Sequence, residues 1–375
     1  MNIIVICIFG IESVVSRELS NLGINDVEIS NGRISFEGRM EDIARCNIWL
    51  RAAERVYFEA DNFDAYDFDM LYDGVRKIDW MELVPPDAVI NVRTSSIDSR
   101  LYSTRDCQSI AKKAIVDKVT ENTGSSRLPE TGKDFSVEIF IHKDNVSVCI
   151  DTTGTGLHKR GYRTYNVEAP LKETIAAALI SISYWRPGRV LLDPFCGSGT
   201  FPVEAAMMAM NIAPGANRNF DFEDWTTENK KTADFIRNDA AASVEQVKEV
   251  FIKGSDISDK NVEIARKHAI AAGVSEAVSF TASDFRSLGI NDEYGILISN
   301  PPYGIRISDK KKVEGLYKSI GRKFREMDTW SKYILTANDD FENICGIRAD
   351  KRRKIYNGTI KCTYFQYFGP RPPKR

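Results

Sequence analysis

Alternating apolar and polar stretches divide the first half of the chain into two blocks. In the first block, the predicted strands are residues 3–9, 26–30, 33–37 and 55–60, and the helices between them are 11–21 and 40–49. This β-α-β-β-α-β order is the ferredoxin-like pattern. In the second block, helices near 67–77 and 105–121 alternate with strands 88–94, 135–141 and 146–151. The pattern predicts a small α+β unit.

The second half of the chain has a different pattern of predicted elements. Turn residues and charges fill residues 153–168, which predicts a linker. Beyond it, predicted strands at 189–194, 250–257, 277–284, 294–300 and 331–337 alternate with helices from about 199, at 259–272 and at 313–327. Such alternation predicts a parallel, doubly wound sheet. Two final strands around the Asn-Gly turn of "KRRKIYNG" predict an antiparallel hairpin at one edge.

Composition narrows the class of protein. The chain has 375 residues, of which 43% are hydrophobic, so it can bury more than one core. Its seven cysteines form no C-x-x-C pair, which indicates a reduced, cytosolic protein, and its three histidines lack metal-ligand spacing. The apolar run 3–9 is too short to span a bilayer, so we expect neither a metal nor a membrane partner. The net charge is −2, yet residues 303–375 hold 18 Lys and Arg against 8 Asp and Glu.

The stretch "LLDPFCGSGTFPVEAA" (191–206) suggests a ligand site, because an apolar strand leads through an acid and two glycines into a helix. A nicotinamide dinucleotide fingerprint needs a third glycine, but Pro202 occupies that position. It also needs a ribose-binding acid about 20 residues further on, whereas the next strand that ends in an acid ends at Asp256. A P-loop would need a Gly-Lys-Ser/Thr sequence, which does not follow. An acid without a phosphate-binding lysine favours a cationic or neutral nucleoside ligand, and S-adenosyl-L-methionine (SAM), which is cationic at its sulfonium and amino groups, fits.

A second unusual stretch is "LISNPPYGIRI" (297–307), an apolar strand that stops at two prolines and an aromatic residue. Prolines cannot donate to a sheet ladder, and they leave carbonyl groups that no neighbouring strand claims. Taken alone, Asn-Pro-Pro-Tyr is typical of enzymes that methylate exocyclic base amines, and it leaves DNA adenine and cytosine methyltransferases open. Together with "DPFCGSGT" and the strand-end acids Asp256 and Asp284, it resembles Rossmann-type SAM-dependent methyltransferases.

A longer set of motifs is similar to the THUMP-domain family of ribosomal RNA guanine-N2 methyltransferases. These motifs are "DTTGTGLHKRGYR", "APLKETIAAAL", "DPFCGSGTFPVEAAMMAMNIAPG", "NPPYGIR" and "KIYNGTIKC". The resemblance implies an α/β protein with a ferredoxin-like domain (1–62), a THUMP RNA-binding domain (63–152), a linker (153–168) and a Rossmann-like methyltransferase domain (169–375). It also implies methylation of a guanine N2 in 23S ribosomal RNA, with S-adenosyl-L-homocysteine as the product and the large-subunit precursor as the partner.

The resemblance carries over a set of cofactor-binding residues. They are Pro170, Lys172, Glu173, Asp193, Pro194, Phe195, Cys196, Gly197, Ser198, Gly199, Thr200, Asp256 for the ribose hydroxyls, Ile257, Asp284 and Phe285 for the adenine, and Asn300. Cys196 is expected to be part of the SAM loop and not a nucleophile.

The expected catalytic residues are Asn300, Pro301, Pro302 and Tyr303. The Asn300 side-chain oxygen and the Pro301 carbonyl would each accept one N–H of the base amine, and Tyr303 would stack on the base after it has left its helix. The RNA-binding residues are expected to be Lys159, Arg160, Tyr162 and Arg163 in the linker, with Arg306, Arg352 and Arg353.

One position departs from the family, which usually reads Asn-Pro-Pro-Tyr-Gly-Glu-Arg, because Ile305 replaces the glutamate. The exact target base therefore stays open. An N6-adenine methyltransferase acting on DNA or RNA is the alternative within enzymes, and a non-catalytic RNA-binding ribosome-assembly factor is the alternative from another class. We expect a single catalytic domain. The sequence leaves the oligomeric state open, with a monomer favoured.

Overall fold

The computed structural model of the protein describes residues 1–85, 87–123, 128–165, 171–246, 249, 251–303 and 310–373. Contacts divide the chain into two compact units. Unit 1 comprises Met1–Cys7, Glu18–Leu157 and Arg218–Asp239, and unit 2 comprises Ile8–Arg17, His158–Asn217 and Ala240–Arg375. Each unit is built around one seven-stranded sheet.

The sheet of unit 1 contains the first seven strands. They are β1 (Asn2–Cys7), β2 (Glu28–Ser30), β3 (Arg33–Glu37), β4 (Ala53–Asp64), β5 (Val89–Ile97), β6 (Asp134–His142) and β7 (Asn145–Asp151). The helices of this part of the chain are α1 (Glu12–Asn21), which the division between units crosses, α2 (Met40–Trp49), α3 (Phe68–Lys77), α4 (Trp80–Leu83) and α5 (Thr104–Thr123).

The strand order is β2-β3-β1-β4-β7-β6-β5. The first four strands pair antiparallel in the ferredoxin-like order, which confirms the predicted ferredoxin-like fold. The two blocks do not have separate sheets, however, because β4 pairs with β1 on one side and with β7 on the other. With twelve residues, β4 is long enough to pair with a strand of each block.

Unit 1 also contains a segment that comes from the predicted methyltransferase domain. This segment, residues 218–239, includes a short 3-10 helix (Asp221–Asp224) and most of α8 (Thr227–Ala242). The Trp225 ring packs against the rings of Phe58 and Phe135, at centroid distances of 5.9 and 5.5 Å. A boundary drawn at residue 168 therefore does not separate the two units cleanly.

The sheet of unit 2 contains β8 (Leu191–Asp193), β9 (Ile252–Asp256), β10 (Val278–Ala282), β11 (Ile296–Ser299), β12 (Ser331–Thr336), β13 (Lys351–Asn357) and β14 (Ile360–Tyr367). The other helices of this unit are α6 (Glu173–Ile182), α7 (Thr200–Ala209), α9 (Asp259–Ala271), α10 (Lys310–Glu326) and α11 (Phe341–Cys345). A second 3-10 helix covers Phe285–Ser287.

The strand order β10-β9-β8-β11-β12-β14-β13 confirms the doubly wound sheet. Strands β8 to β12 pair parallel, and β13 and β14 form the predicted antiparallel hairpin at the edge. The order reverses between β8 and β11, which are buried along their whole length, as central parallel strands are. Ligands of such sheets bind beyond the carboxyl ends of the strands at this switch point.

Candidate active site

Unit 2 has a cavity of about 710 Å³ at the carboxyl ends of its parallel strands. The sequence-predicted residues that line it are Asp193, Pro194, Phe195, Cys196, Gly197, Ser198, Thr200, Asp256, Ile257, Asp284, Phe285, Asn300, Pro301, Pro302 and Tyr303. A cavity of this size suits a nucleoside ligand. Residues from the ends of three strands, β8, β9 and β10, therefore meet the Asn-Pro-Pro-Tyr turn, which follows a fourth strand, β11, at one cavity.

The glycine loop between β8 and α7 leaves room for a ligand. Gly197 and Gly199 have φ values of 52° and 85°, in the left-handed region that favours glycine. A Cβ added at Gly197 would have no atom within 4 Å, so this backbone borders open space. At Gly199 the added Cβ would lie 2.9 Å from Ala265, because the loop packs there against α9.

Asp193 is the last residue of β8, with 2% of its surface exposed. The Ser299 hydroxyl and the Phe195 amide both donate to its Oδ1, the amide at 3.1 Å. Burial raises the pKa of Asp193 to about 7, although these two hydrogen bonds oppose the rise. Within the described residues, no hydrogen bond reaches Oδ2, so this oxygen can meet a cationic ligand in the cavity.

Asp256, at the end of β9, fixes the glycine loop. Its Oδ2 accepts from the Gly197 amide at 3.0 Å, and its Oδ1 accepts from the Ser258 amide at 2.9 Å and the Asn261 side chain at 3.1 Å. A carboxylate offers about four acceptor positions. Asp256 can thus bind a ribose hydroxyl while it holds the loop that faces the ligand.

Asp284 follows β10 and makes an ion pair with Arg286. The Arg286 Nε lies 2.9 and 3.0 Å from the two carboxylate oxygens, and these contacts lower the pKa of Asp284. The Arg286 side chain is 65% exposed, so the pair contributes little to stability and a ligand can displace it. Phe195 and Phe285 lie beside it with ring centroids 5.1 Å apart, which supplies an apolar wall for a purine.

The Asn-Pro-Pro-Tyr turn is held by hydrogen bonds that the sequence did not reveal. The Tyr303 hydroxyl donates to Asn300 Oδ1 and accepts a weak bond from the Cys362 thiol, whose Sγ is 3.6 Å away. The hydroxyl of Tyr317, a buried residue of α10, donates to the Pro302 carbonyl at 2.9 Å. The Pro302 carbonyl is therefore engaged inside the fold, whereas Asn300 lies at the cavity.

Two of the residues expected to bind RNA are in the interior of unit 2, which corrects that expectation. Arg160 is 3% exposed and its Nε lies 3.6 Å from Glu204 Oε1. Tyr162 is also 3% exposed and its hydroxyl donates to the same oxygen at 3.1 Å. Neither side chain can reach a phosphate or a base. Burial raises the pKa of Tyr162 further, so it remains a neutral hydrogen-bond donor.

Arg163, also expected to bind RNA, instead contacts residues of the cavity wall. Its Nη2 donates to the Leu171 carbonyl at 3.1 Å and to Thr200 Oγ1 at 2.7 Å, and its Nε lies 3.3 Å from Glu173. Leu171 and Thr200 both line the cavity. The guanidinium thus joins two walls of the cavity, and Glu173 contributes by holding Arg163 and not by lining the site.

The remaining predicted residues have different surroundings. Lys172 precedes α6 and Gly199 precedes α7, and neither lines the cavity. Lys159 is exposed, Arg352 pairs with Glu342, and Arg353 Nη1 donates to the Gly10 carbonyl at 2.7 Å. The predictions for Pro170, Ile305 and Arg306 lie outside the described residues.

Several residues of the cavity were missed by the sequence. They are Phe201, Ser258, Asn261, Ser283, Arg286 and Leu316. Ser258 and Asn261 begin α9 directly after Asp256, and the Ser258 hydroxyl caps that helix, so Ser-x-x-Asn after an acid-tipped strand was an available signal. No pattern near Leu316 indicates the cavity, because only the packing of α10 brings it there.

The cavity fits SAM in its donor set. It offers a buried carboxylate, a second carboxylate beside the glycine loop, and an aromatic wall next to a third. Within the part of the chain that the structure describes, no group of His, Cys, Asp and Glu could hold a metal ion, and no helix is long and apolar enough to cross a membrane. All seven cysteines are buried.

Comparisons with known proteins agree with this fold. Three family models match: the RlmL ferredoxin-like domain over residues 2–57, the THUMP domain over 65–151 and the RMKL-like methyltransferase domain over 160–366. The fold and the cavity define a SAM-dependent methyltransferase. More narrowly, the chain belongs to the RMKL-like methyltransferase family, in the form that carries a THUMP domain and an RlmL ferredoxin-like domain.

Individual relatives extend over the whole chain. It is 41% identical over 368 residues to "Putative RNA methyltransferase YpsC" of Bacillus subtilis, covering 98% of this chain and 95% of that protein. It is 34% identical to the Ribosomal RNA large subunit methyltransferase K/L of Shewanella pealeana, covering 96% of this chain but only 51% of that protein. The crystal structure of SMU.472, "a putative methyltransferase complexed with SAH", is 42% identical, with a TM-score of 0.91 over 99% of both chains.

Proposed function

We propose that the protein transfers a methyl group from SAM to the exocyclic N2 amine of a guanine in large-subunit (23S) ribosomal RNA. The observation that carries the proposal is the position of Asn300. It follows β11, which pairs with β8 at the switch point of the sheet, and Asn300 and Asp193 of β8 both line one cavity. The names of two relatives, an RNA methyltransferase and a ribosomal RNA large subunit methyltransferase, support RNA as the substrate class.

A guanine amine is a poor nucleophile because its lone pair is delocalised into the ring. We propose that Asn300 Oδ1 and the Pro301 carbonyl each accept one N–H of this amine, which makes the nitrogen pyramidal and turns its lone pair toward the methyl donor. The Pro302 carbonyl is held by Tyr317, so it is not the second acceptor. Bound SAM would supply an electrophilic methyl group on a sulfonium: the N–C bond forms as the S–C bond breaks, S-adenosyl-L-homocysteine is left, and the methylated nitrogen releases one proton to water.

The Tyr303 hydroxyl and the base amine would share one acceptor, Asn300 Oδ1. The hydroxyl donates to Asn300 Oδ1 in the absence of substrate, and that oxygen can accept a second hydrogen bond because it has two lone pairs. The Tyr303 bond orients the amide so that its oxygen, and not its nitrogen, faces the amine. Positioning of this kind can contribute roughly 7–11 kcal/mol to a reaction barrier.

The test is methyl transfer from labelled SAM to ribosomal RNA from a strain that lacks the gene, followed by nucleoside digestion and mass spectrometry. We expect label in N2-methylguanosine from the wild type, and a loss of about 10²- to 10³-fold for Asn300→Ala. Label in N6-methyladenosine would keep the chemistry but assign the alternative substrate, an adenine in RNA or DNA. Retained RNA binding without SAM binding would favour the non-catalytic assembly factor.

A further inference from the structure

Helix α10 is amphipathic: its large apolar side chains are buried on one side, and several of its basic residues are exposed on the other. The large apolar side chains of the buried side are Val313, Tyr317, Ile320 and Phe324. The opposite side exposes Lys311, Lys318, Arg322 and Arg325, whose spacings of seven, four and three residues place them on one line along the helix. We name these four residues the basic face of α10. From Lys311 to Arg325 the face extends over about 21 Å, at 1.5 Å per residue.

Among the described residues, the basic face makes no close ion pair, although the exposed Glu314 lies on the same side of the helix, three residues after Lys311 and four before Lys318. In the part of the chain that the structure describes, no carboxylate lies within 4 Å of any of its four cations. Arg322 donates to Ser319 Oγ at 3.1 Å, and Arg325 donates to the Gly346 carbonyl at 3.0 Å, so their positive charges remain without a counter-ion. The ion pair that does form on this helix, between Lys323 and Glu326, involves a lysine beside the basic face.

The basic face begins near the candidate active site. Leu316 of the same helix lines the cavity, and Tyr317 holds the Pro302 carbonyl of the Asn-Pro-Pro-Tyr turn. Lys318 follows these residues directly, and Arg322 and Arg325 lie one and two turns farther along the helix. A chain that presents a base to Asn300 would therefore have its neighbouring phosphates within the range of these cations.

We propose that the basic face of α10 binds the phosphate backbone of the RNA next to the target nucleotide. This proposal rests on the proposed function, which supplies RNA as the substrate class. Phosphates repeat along a strand, so successive cations at one-turn intervals match them without reading the sequence. An acidic protein would be expected to meet an apolar anchor, but none of the exposed large hydrophobic side chains of the described residues belongs to α10.

The test compares two double variants that each remove two positive charges. Lys318→Gln with Arg322→Gln changes the basic face, and Lys230→Gln with Lys231→Gln changes an exposed pair on α8. For the basic-face variant, we expect RNA affinity to fall roughly ten- to fiftyfold at about 0.1 M salt, and the slope of log affinity against log salt to decrease by about 2. The affinity for S-adenosyl-L-homocysteine and the melting temperature should stay at wild-type values.

The outcomes separate this proposal from the proposed function. If the wild type methylates ribosomal RNA and both double variants bind it as tightly as the wild type, the basic face is not an RNA contact. Equal losses in the two variants would also overturn the proposal, because net charge alone would explain them. A wild type that neither binds nor methylates RNA would instead contradict the proposed function. Normal RNA binding combined with the loss of a co-purifying acidic protein would assign the face to that protein.

Discussion

At the scale of single residues, Asp193 combines two properties that rarely occur together. It is buried between central strands, and burial raises its pKa from the usual 3.8 to about 7. It nevertheless lines the cavity, and within the described residues its Oδ2 accepts no hydrogen bond. Since the folded protein holds a proton on Asp193 that the unfolded chain has lost, the contribution of this residue to stability decreases as the pH rises from about 4 to about 7. A bound ammonium group would favour the ionised carboxylate and oppose this effect.

This leads to a prediction about the pH dependence of cofactor binding. We expect the affinity for SAM to increase between about pH 5.5 and 7.5, below the range in which α-amino groups lose their proton, because binding must displace the proton from Asp193. Isothermal titration calorimetry in buffers of different ionisation enthalpy should show proton release on binding.

Two variants control this measurement. Asp193→Asn should bind SAM weakly and lose the proton release. Asp284→Asn should keep it, because the pKa of Asp284 is lowered by Arg286 and this residue does not titrate in that range. Proton release from Asp193→Asn equal to that of the wild type would show that another group is responsible.

At the scale of elements, helix α10 supports the catalytic turn through one hydroxyl. Tyr317 donates to the Pro302 carbonyl and lies 2.9 Å from Thr336 Oγ1 on β12. Because Tyr317→Phe leaves the ring in place but releases the turn, we expect kcat to fall about ten- to hundredfold. The affinity for SAM should not change, and the free energy of unfolding should decrease by about 1 kcal/mol.

A matched control exists on β14. The hydroxyl of the buried Tyr364 donates to the Leu179 carbonyl at 3.0 Å, away from the turn. Tyr364→Phe should cost similar stability but leave kcat intact. If both variants lose activity in proportion to their stability, Tyr317 has no specific positioning role.

The linker before α6 acts as a second supporting element. Arg163 joins Leu171 and Thr200 through a planar group with several donors, which a lysine cannot reproduce. We expect Arg163→Lys to weaken SAM binding about tenfold, close to the value of one charge-assisted hydrogen bond. The binding of SAM or S-adenosyl-L-homocysteine to the purified protein measures this directly.

The neighbouring Arg160 provides the control for this prediction. It pairs with Glu204 inside the unit and does not line the cavity. Arg160→Lys should lower the melting temperature, because a buried ion pair loses its best geometry, but it should leave SAM affinity unchanged. The positioning role of Arg163 would have to be abandoned if the two variants lost SAM affinity equally.

The sequence predicted the elements whose patterns are local. Acid-tipped strands, the glycine loop and the Asn-Pro-Pro-Tyr turn each show their role within a few residues. The linker was misread because "HKRGYR" has the composition of an exposed basic segment, and its partner Glu204 is 44 residues away from Arg160. A glutamate in the apolar helix "FPVEAA" was the available hint. Helix α6 was missed because residues 173–180 are all buried, so it shows no helical periodicity.

At the scale of the whole molecule, the order of the chain does not follow the order of the units. Residues 218–239 belong to unit 1, although the residues before and after them along the chain belong to unit 2. The Phe222 amide donates to the Thr152 carbonyl at 3.2 Å, and a side chain at Gly154, where φ is 71°, would collide with the Asp221 carboxylate. Unit 1 is therefore completed by a segment that comes after the first strand of the other sheet.

The last prediction concerns this segment. Trp225 packs against Phe58 and Phe135, so Trp225→Ala should destabilise unit 1, though by less than the roughly 3–5 kcal/mol of a fully buried tryptophan. Hydrogen exchange measured by mass spectrometry should show faster exchange in β4 and β6, while β8 and β9 keep their protection and SAM binding persists. Phe235→Ala, on the same segment but 71% exposed, should leave exchange unchanged. Faster exchange in β8 and β9 as well would mean that the two sheets unfold as one cooperative structure.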